Sequence, residues 1–275
     1  MILKKNAVFT TTGVITFASL LLGTASAFAE TETGGNEVKP PITIQSPVHS
    51  EAEISFEQNE TEVTPPVGPG GEEIEKPGEG ETGGETGMVG PLTIDYITKL
   101  NFGAVKVSGN TTTYHAKLAE LKLKDIVEPK KVPNYVQVTD NRGTNAGWQL
   151  QLKQDSQFQA KDKDNKVTEL TGAELSLNNP VLKSVQKGSE FAPLGISQKL
   201  IPGAAAVTVV DAAAGKGMGT WHYSLGDTNE QAAKSVSLTI PGDTAKLANV
   251  AYKTVLTWTL VDAPEKSEVS PEVTP

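Results

Sequence analysis

The chain has 275 residues, of which 37% are hydrophobic and only 5% aromatic, with 26 glycines, 17 prolines and no cysteine. Its formal net charge is −9. Without a basic stripe it lacks the electrostatic footprint of a nucleic-acid-binding protein, and without cysteine it has neither a disulfide framework nor a thioether-linked lipid.

Taken from the N-terminus, Lys4 and Lys5 precede a mostly apolar run from Ala7 to Gly23, and Ala27-Phe28-Ala29 offers a small-residue cleavage site. This predicts a secretory signal peptide over residues 1–29, cut after Ala29, and a secreted protein. Residues 30–88 hold 14 Glu against 2 Lys and paired prolines at Pro40-Pro41 and Pro65-Pro66. So acidic a stretch, with Phe56 its one aromatic, buries too little apolar area to offset chain entropy. It is expected to be a disordered acidic Pro/Gly-rich linker, with mild alternation at 42–56 that could order on a partner. The polar tail over 265–275 carries neither an apolar span nor a basic stop. With no tether expected at either end, retention at a cell surface would have to rest on contacts alone.

From residue 89 onward the charge is nearly balanced and period-2 patterns recur between turn signals. Leu92, Ile94 and Tyr96 alternate with polar residues; Val105 and Val107 come next; Tyr114, Ala116 and Leu118 could be strand or helix. The turn-forming run Asp140–Gly147 suggests a long hairpin pairing 135–138 with 148–152. Leu175/Leu177, Val207/Val209, Trp221/Tyr223/Leu225, Val236/Leu238/Ile240 and the run Tyr252–Leu260 complete the series. Eight to ten short strands without a long helix predict an all-β domain over 89–264, an antiparallel β-sandwich or Greek-key barrel.

Two Trp-x-Leu pairs stand out, Trp148/Leu150 and Trp258/Leu260. Residues i and i+2 of a strand share a face, so each pair makes one indole-plus-isobutyl patch. Two such patches, 110 residues apart, suggest that one domain closes between them. Each patch has two readings. It can be a platform on which the C–H face of a sugar stacks, or filler for the sandwich core, where the apolar face of a clean alternator belongs. Trp221 and Tyr223, beside a Gly-rich run, form a third aromatic pair with the same two readings. His222 falls out of phase with them and is expected to face solvent.

No catalytic constellation is visible. His49, His115 and His222 are isolated, and no GxSxG, HExxH or cysteine nucleophile is present. The run Asp162-Lys163-Asp164-Asn165 lacks the glycine and terminal glutamate of a calcium loop and is expected to be a charged surface turn. Asp140 and Asn141 could ligate a cation, but turn formation is the better account of them. No cofactor and no metal site is expected.

The segments LNFG at 100–103, NYVQVTDNRGTNAGWQL at 134–150, LTGAELSLNN at 170–179, GTWHYSLG at 219–226, SLTIPGDTAK at 237–246 and YKTVLTWTLVDAP at 252–264 resemble the WxL cell-wall-binding domain of Gram-positive surface proteins. A central and a terminal Trp-x-Leu in these contexts are its signature, and the signal–linker–domain layout is similar to that of its short members. The resemblance implies non-covalent attachment to the wall, with peptidoglycan or another wall glycan as ligand. It also implies association with a membrane-anchored surface protein. Host matrix proteins are a third candidate partner, although the linker would project the domain only about 45 Å as a flexible coil. The extension past Pro264 departs from the family pattern.

Overall fold

A computed structural model describes residues 50–58, 60–75 and 83–262. Contacts group the chain into Met1–Ile54 and Ser55–Pro275. Of the first unit only residues 50–54 are described, as irregular backbone, and every named strand and helix belongs to the second. The expected signal peptide, His49 and the polar tail lie outside the described residues.

Among the described residues, seventeen strands run through the domain. The first six are β1 (Gly83–Glu85), β2 (Leu92–Thr98), β3 (Thr112–His115), β4 (Ala119–Leu121), β5 (Lys130–Val132) and β6 (Tyr135–Asp140). Then come β7 (Trp148–Gln154), β8 (Gln159–Lys161), β9 (Val167–Glu169), β10 (Glu174–Leu177), β11 (Pro180–Lys183) and β12 (Leu194–Gly195). The last are β13 (Gln198–Leu200), β14 (Val207–Ala212), β15 (Gly219–Leu225), β16 (Val236–Ile240) and β17 (Leu256–Asp262). Among the described residues one α-helix, α1 (Asn229–Ser235), and one short 3-10 turn at Ser189–Phe191 interrupt them. Thr228 caps α1 by accepting from the Gln231 amide at 3.3 Å.

The strands form a five-stranded sheet β1-β2-β6-β15-β11, two four-stranded sheets, β13-β10-β16-β3 and β12-β14-β7-β17, and two small ribbons, β4-β5 and β8-β9. All named pairings are antiparallel. The fold is therefore the expected all-β, sandwich-like one. The strand count exceeds eight to ten because many edge strands span only two or three residues, too short to show a period.

One core joins the three large sheets. Val136 and Val138 of β6, Trp148, Leu150 and Leu152 of β7, Leu175 and Leu177 of β10, and Trp221 and Tyr223 of β15 all belong to it. A second, smaller cluster covers the opposite face of the five-stranded sheet, with Tyr96, Leu121, Leu123, Val132 and Tyr135. Covered on both sides, β6 is buried at every position.

Several local expectations are corrected. The hairpin joining 135–138 to 148–152 does not form: β6 pairs with β2 and β15, and β7 with β14 and β17. The 141–147 turn crosses between sheets, and Arg142 braces the crossing. Its guanidinium donates to both oxygens of the buried Asp140 carboxylate at 2.9 and 2.8 Å, to the Gly147 carbonyl at 2.7 Å and to Asp262 of β17.

Tyr96 does not share a face with Ile94. A register shift between them, at Asp95, turns Tyr96 into the second cluster while Ile94 stays in the main core, as an extra bulge residue does. Val105 and Val107 form no strand and are exposed at 54% and 59%. The ambiguous 116–124 run resolves to β4 and a bridge at Leu123.

The acidic stretch also differs in part from its expectation. Val63 bridges Val89, Val67 bridges Glu73, and Ile74 bridges Leu123. Residues 67–73 turn tightly through Gly-Pro-Gly-Gly, with the Gly68 amide donating to the Glu72 carbonyl at 2.8 Å. The segment from Pro65 to Ile74 thus lies on the domain as a strap. Low apolar content did not prevent docking because the sheet beneath supplies polar partners for the strap's backbone.

Candidate functional site

The two Trp-x-Leu strands are direct neighbours. In the β7–β17 ladder Leu260 faces Leu150, Trp258 faces Leu152 and Asp262 faces Trp148. Directly opposed residues share a face of the sheet, so both motifs point toward the same core.

Their exposure differs because their places in the sheet differ. β7 lies inside, between β14 and β17, and Trp148 and Leu150 are each 0% exposed. β17 is the edge strand, and Trp258 and Leu260 are only partly buried. Trp221 and Tyr223, on the inner face of the five-stranded sheet, are each 1% exposed. Four of the six candidate side chains therefore offer no surface to a ligand, and the remaining two form a rim. Along β17 Leu256, Trp258 and Leu260 are partly buried while Thr257 and Thr259 are exposed, as the alternation required. The strand begins at Leu256 rather than at the expected Tyr252, and Lys253 makes only an isolated bridge to Gln159.

The Gly-rich run before β15 serves the buried indoles. The Trp148 Nε1–H donates to the Gly217 carbonyl and the Trp221 Nε1–H to the Met218 carbonyl, both at 3.1 Å. Gly217 has φ +77°, and a Cβ there would sit 2.6 Å from Trp148 Nε1. Glycine is thus needed both for conformation and for close approach.

At the rim, Trp258 meets Tyr223 edge-on, with ring centroids 6.3 Å apart and planes at 65°. Behind it lies a crevice of about 10 Å³ lined by Leu100, Asn134, Leu177, Tyr223 and Trp258, among others. The Tyr223 hydroxyl and the Asn134 Oδ1 are buried without protein partners, and burial pushes the Tyr223 pKa up. The crevice has room for about one water. A second cavity, beside Leu152 and Leu200, holds about 50 Å³. Ligand pockets typically measure some 300–1,000 Å³, so a glycan would be met by surface rather than by either of these hollows. Leu100 and Asn134 open two of the segments quoted from the sequence but were not named as site residues, because an isolated Asn and Leu carry no periodic signal.

The outer face of the five-stranded sheet carries the other residues that were missed. The Asp95 carboxylate accepts from Thr93 Oγ1 at 2.6 Å, Thr139 Oγ1 at 2.6 Å and Gln137 Nε2 at 2.9 Å. Burial raises its pKa, and those hydrogen bonds work against the rise. His222 belongs to this face. It is 0% exposed, which corrects the solvent-facing expectation, since the strap and Tyr135 cover the side of β15 opposite Trp221. Desolvation holds the His222 pKa below its ordinary value.

Among the described residues no His, Asp and Glu cluster could hold a metal ion. Asp140 is engaged by Arg142. Asp162 Oδ1 accepts the Asp164 and Lys166 amides at 2.8 and 2.9 Å, which closes a surface turn. Among the same residues no helix is long and apolar enough to cross a membrane.

A family model described as WxL domain surface cell wall-binding matches residues 43–264. No curated protein matches the chain. No solved structure matches it either.

Proposed function

Because the chain belongs to the WxL domain surface cell wall-binding family, we propose that its β-domain holds it on the wall by non-covalent contact with peptidoglycan. In this reading the protein is exported, does no catalysis, and binds through the Trp258–Leu260 rim. The observation that carries it is the split between the two motifs: the first tryptophan is fully buried and the second is partly exposed. A partly exposed indole can bury the C–H face of a sugar ring without any opening of the core.

Sedimentation of the full-length protein with purified sacculi tests this. Wild type is expected to sediment, Trp258→Ala at least tenfold less, and Thr259→Ala, on the opposite face of β17, like wild type. Equal sedimentation of Trp258→Ala and wild type removes the rim from the mechanism. A wild-type protein that stays in solution removes peptidoglycan as the ligand.

A second reading rests on the outer edge of β17, which has no strand beside it among the described residues. An extended segment of a membrane-anchored surface protein could add to that edge by backbone pairing. Wall retention would then vanish when the companion protein is deleted, and sacculi alone would capture nothing.

A further inference from the structure

The outer face of the five-stranded sheet grips the strap by its backbone. Gln137 Oε1 accepts the Val67 amide at 2.8 Å, and Gln137 Nε2 donates to the Pro65 carbonyl at 3.3 Å. The Val67 carbonyl lies 3.3 Å from the Tyr135 hydroxyl, which donates to it, and 3.2 Å from His222 Nε2. Two ion pairs extend the grip, Glu73 with Lys124 at 2.9 Å and Glu72 with Lys130. These contacts describe a recognition site for an extended Pro-x-Val segment followed by paired glutamates.

We infer that this face is an exchange site, which takes the Pro65–Ile74 strap either from its own chain or from a second copy of the chain. Each of these contacts joins the strap to β6, β15, β5 or the bridge region after β4, and none joins it to its own connecting segments. The strap is also a self-closed hairpin through Gly68 to Gly71, so it can move as a unit.

Lifting the strap frees Gln137 and His222 from the Val67 backbone, so the open state recovers hydration that the closed state gives up. In an isolated chain the tethered strap competes at roughly millimolar effective concentration. Exchange therefore shows when the tethered copy is weakened or when chains are crowded. The inference does not depend on wall binding.

Two full-length variants test it. Val67→Pro removes the amide that Gln137 accepts and leaves the sheet face intact, while Gln137→Ala disables the face and leaves the strap intact. Each is expected to sediment as a monomer alone. Their equimolar mixture is expected to form a 1:1 complex, which is lost when the Gln137→Ala chain also carries Val67→Pro. A mixture that stays monomeric, or a complex that survives the added Val67→Pro, overturns the inference.

Should Gln137→Ala fail to fold, a fluorescein-labelled peptide of residues 60–75 titrated onto full-length Val67→Pro decides the same point. Binding at least tenfold tighter than to wild type, and lost when the peptide carries Val67→Pro, supports exchange. No binding, or equal affinity for the two proteins, overturns it.

Discussion

Replacing each motif tryptophan by alanine should separate core from rim. An indole buries roughly 150–250 Å², and at about 25 cal/mol per Å² full burial of Trp148 corresponds to ~4–6 kcal/mol. Large-to-small aromatic changes in cores cost about 3–5 kcal/mol, and here the Gly217 carbonyl also loses its donor, so the upper part of that range is expected. Trp258 is partly exposed and makes one edge-on aromatic contact; a cost of about 2 kcal/mol is expected from partial burial and that contact. For a domain of about 200 residues, each kcal/mol moves Tm by about 2–4 °C. At about 4–5 and 2 kcal/mol, Trp148→Ala should therefore melt some 8–20 °C below wild type and Trp258→Ala some 4–8 °C below. Calorimetry gives the shifts, and sacculus sedimentation well below both transitions gives the binding. Equal losses of stability would place Trp258 in the core and refute the rim. So would a folded Trp148→Ala that loses the wall while Trp258→Ala keeps it.

Arg142→Ala strands the buried Asp140 carboxylate and should cost about 3 kcal/mol in urea unfolding, whereas Asp262→Ala, which removes only the exposed partner, should cost under about 1 kcal/mol. Gly217→Ala forces an L side chain to φ +77° against the Trp148 indole and should lower Tm by more than Gly215→Ala, whose Cβ meets nothing within 4 Å. His222, facing Tyr135, Glu72 and the strap, has a depressed folded pKa. Its contribution is fully present above its unfolded value of about 6.5 and is lost as pH falls from there through the folded value. The urea midpoint should fall between pH 7.5 and 5.5, and His222→Gln should flatten that slope. Asp95, with its pKa raised, acts in the opposite direction at lower pH, and a slope unchanged by His222→Gln would show that other groups set it.

Period-2 alternation located most long strands, because each has one face in a shared core: β7, β10, β15, β16 and β17 were all legible from their side-chain pattern. It could not assign partners. The Asp140–Gly147 run has hairpin composition, yet it crosses between sheets, since an Arg142–Asp140–Asp262 brace is a long-range fact that no local window contains. It could not see the Asp95 bulge either, because one extra residue reverses the facing of everything after it. The sheet β2-β6-β15 misled in a further way. Its outer positions Thr93, Gln137, Thr139 and His222 are polar and look solvated, but all four are buried, Gln137 and His222 against the strap. For the site, the motifs marked the correct pair of strands, whereas burial depended on which strand is the edge, and composition does not carry sheet order.

That sheet order bears on what any truncation can show. β17 supplies the partner for all of β7 from Trp148 to Gln154, although more than a hundred residues separate them in sequence. A chain ending before Leu256 would leave β7 as a bare edge and uncover Leu150 and Leu152, so loss of the second motif removes a closing strand and a binding rim together. Loss of wall attachment on C-terminal deletion would result from either cause. A point change on β17 that keeps the backbone ladder divides them, because pairing runs through main-chain groups while the rim is made of side chains. Trp258→Ala and Leu260→Ala keep the ladder, so a protein that still melts cooperatively yet leaves the wall assigns attachment to the rim. One that stays on the wall leaves β17 with closure as its role.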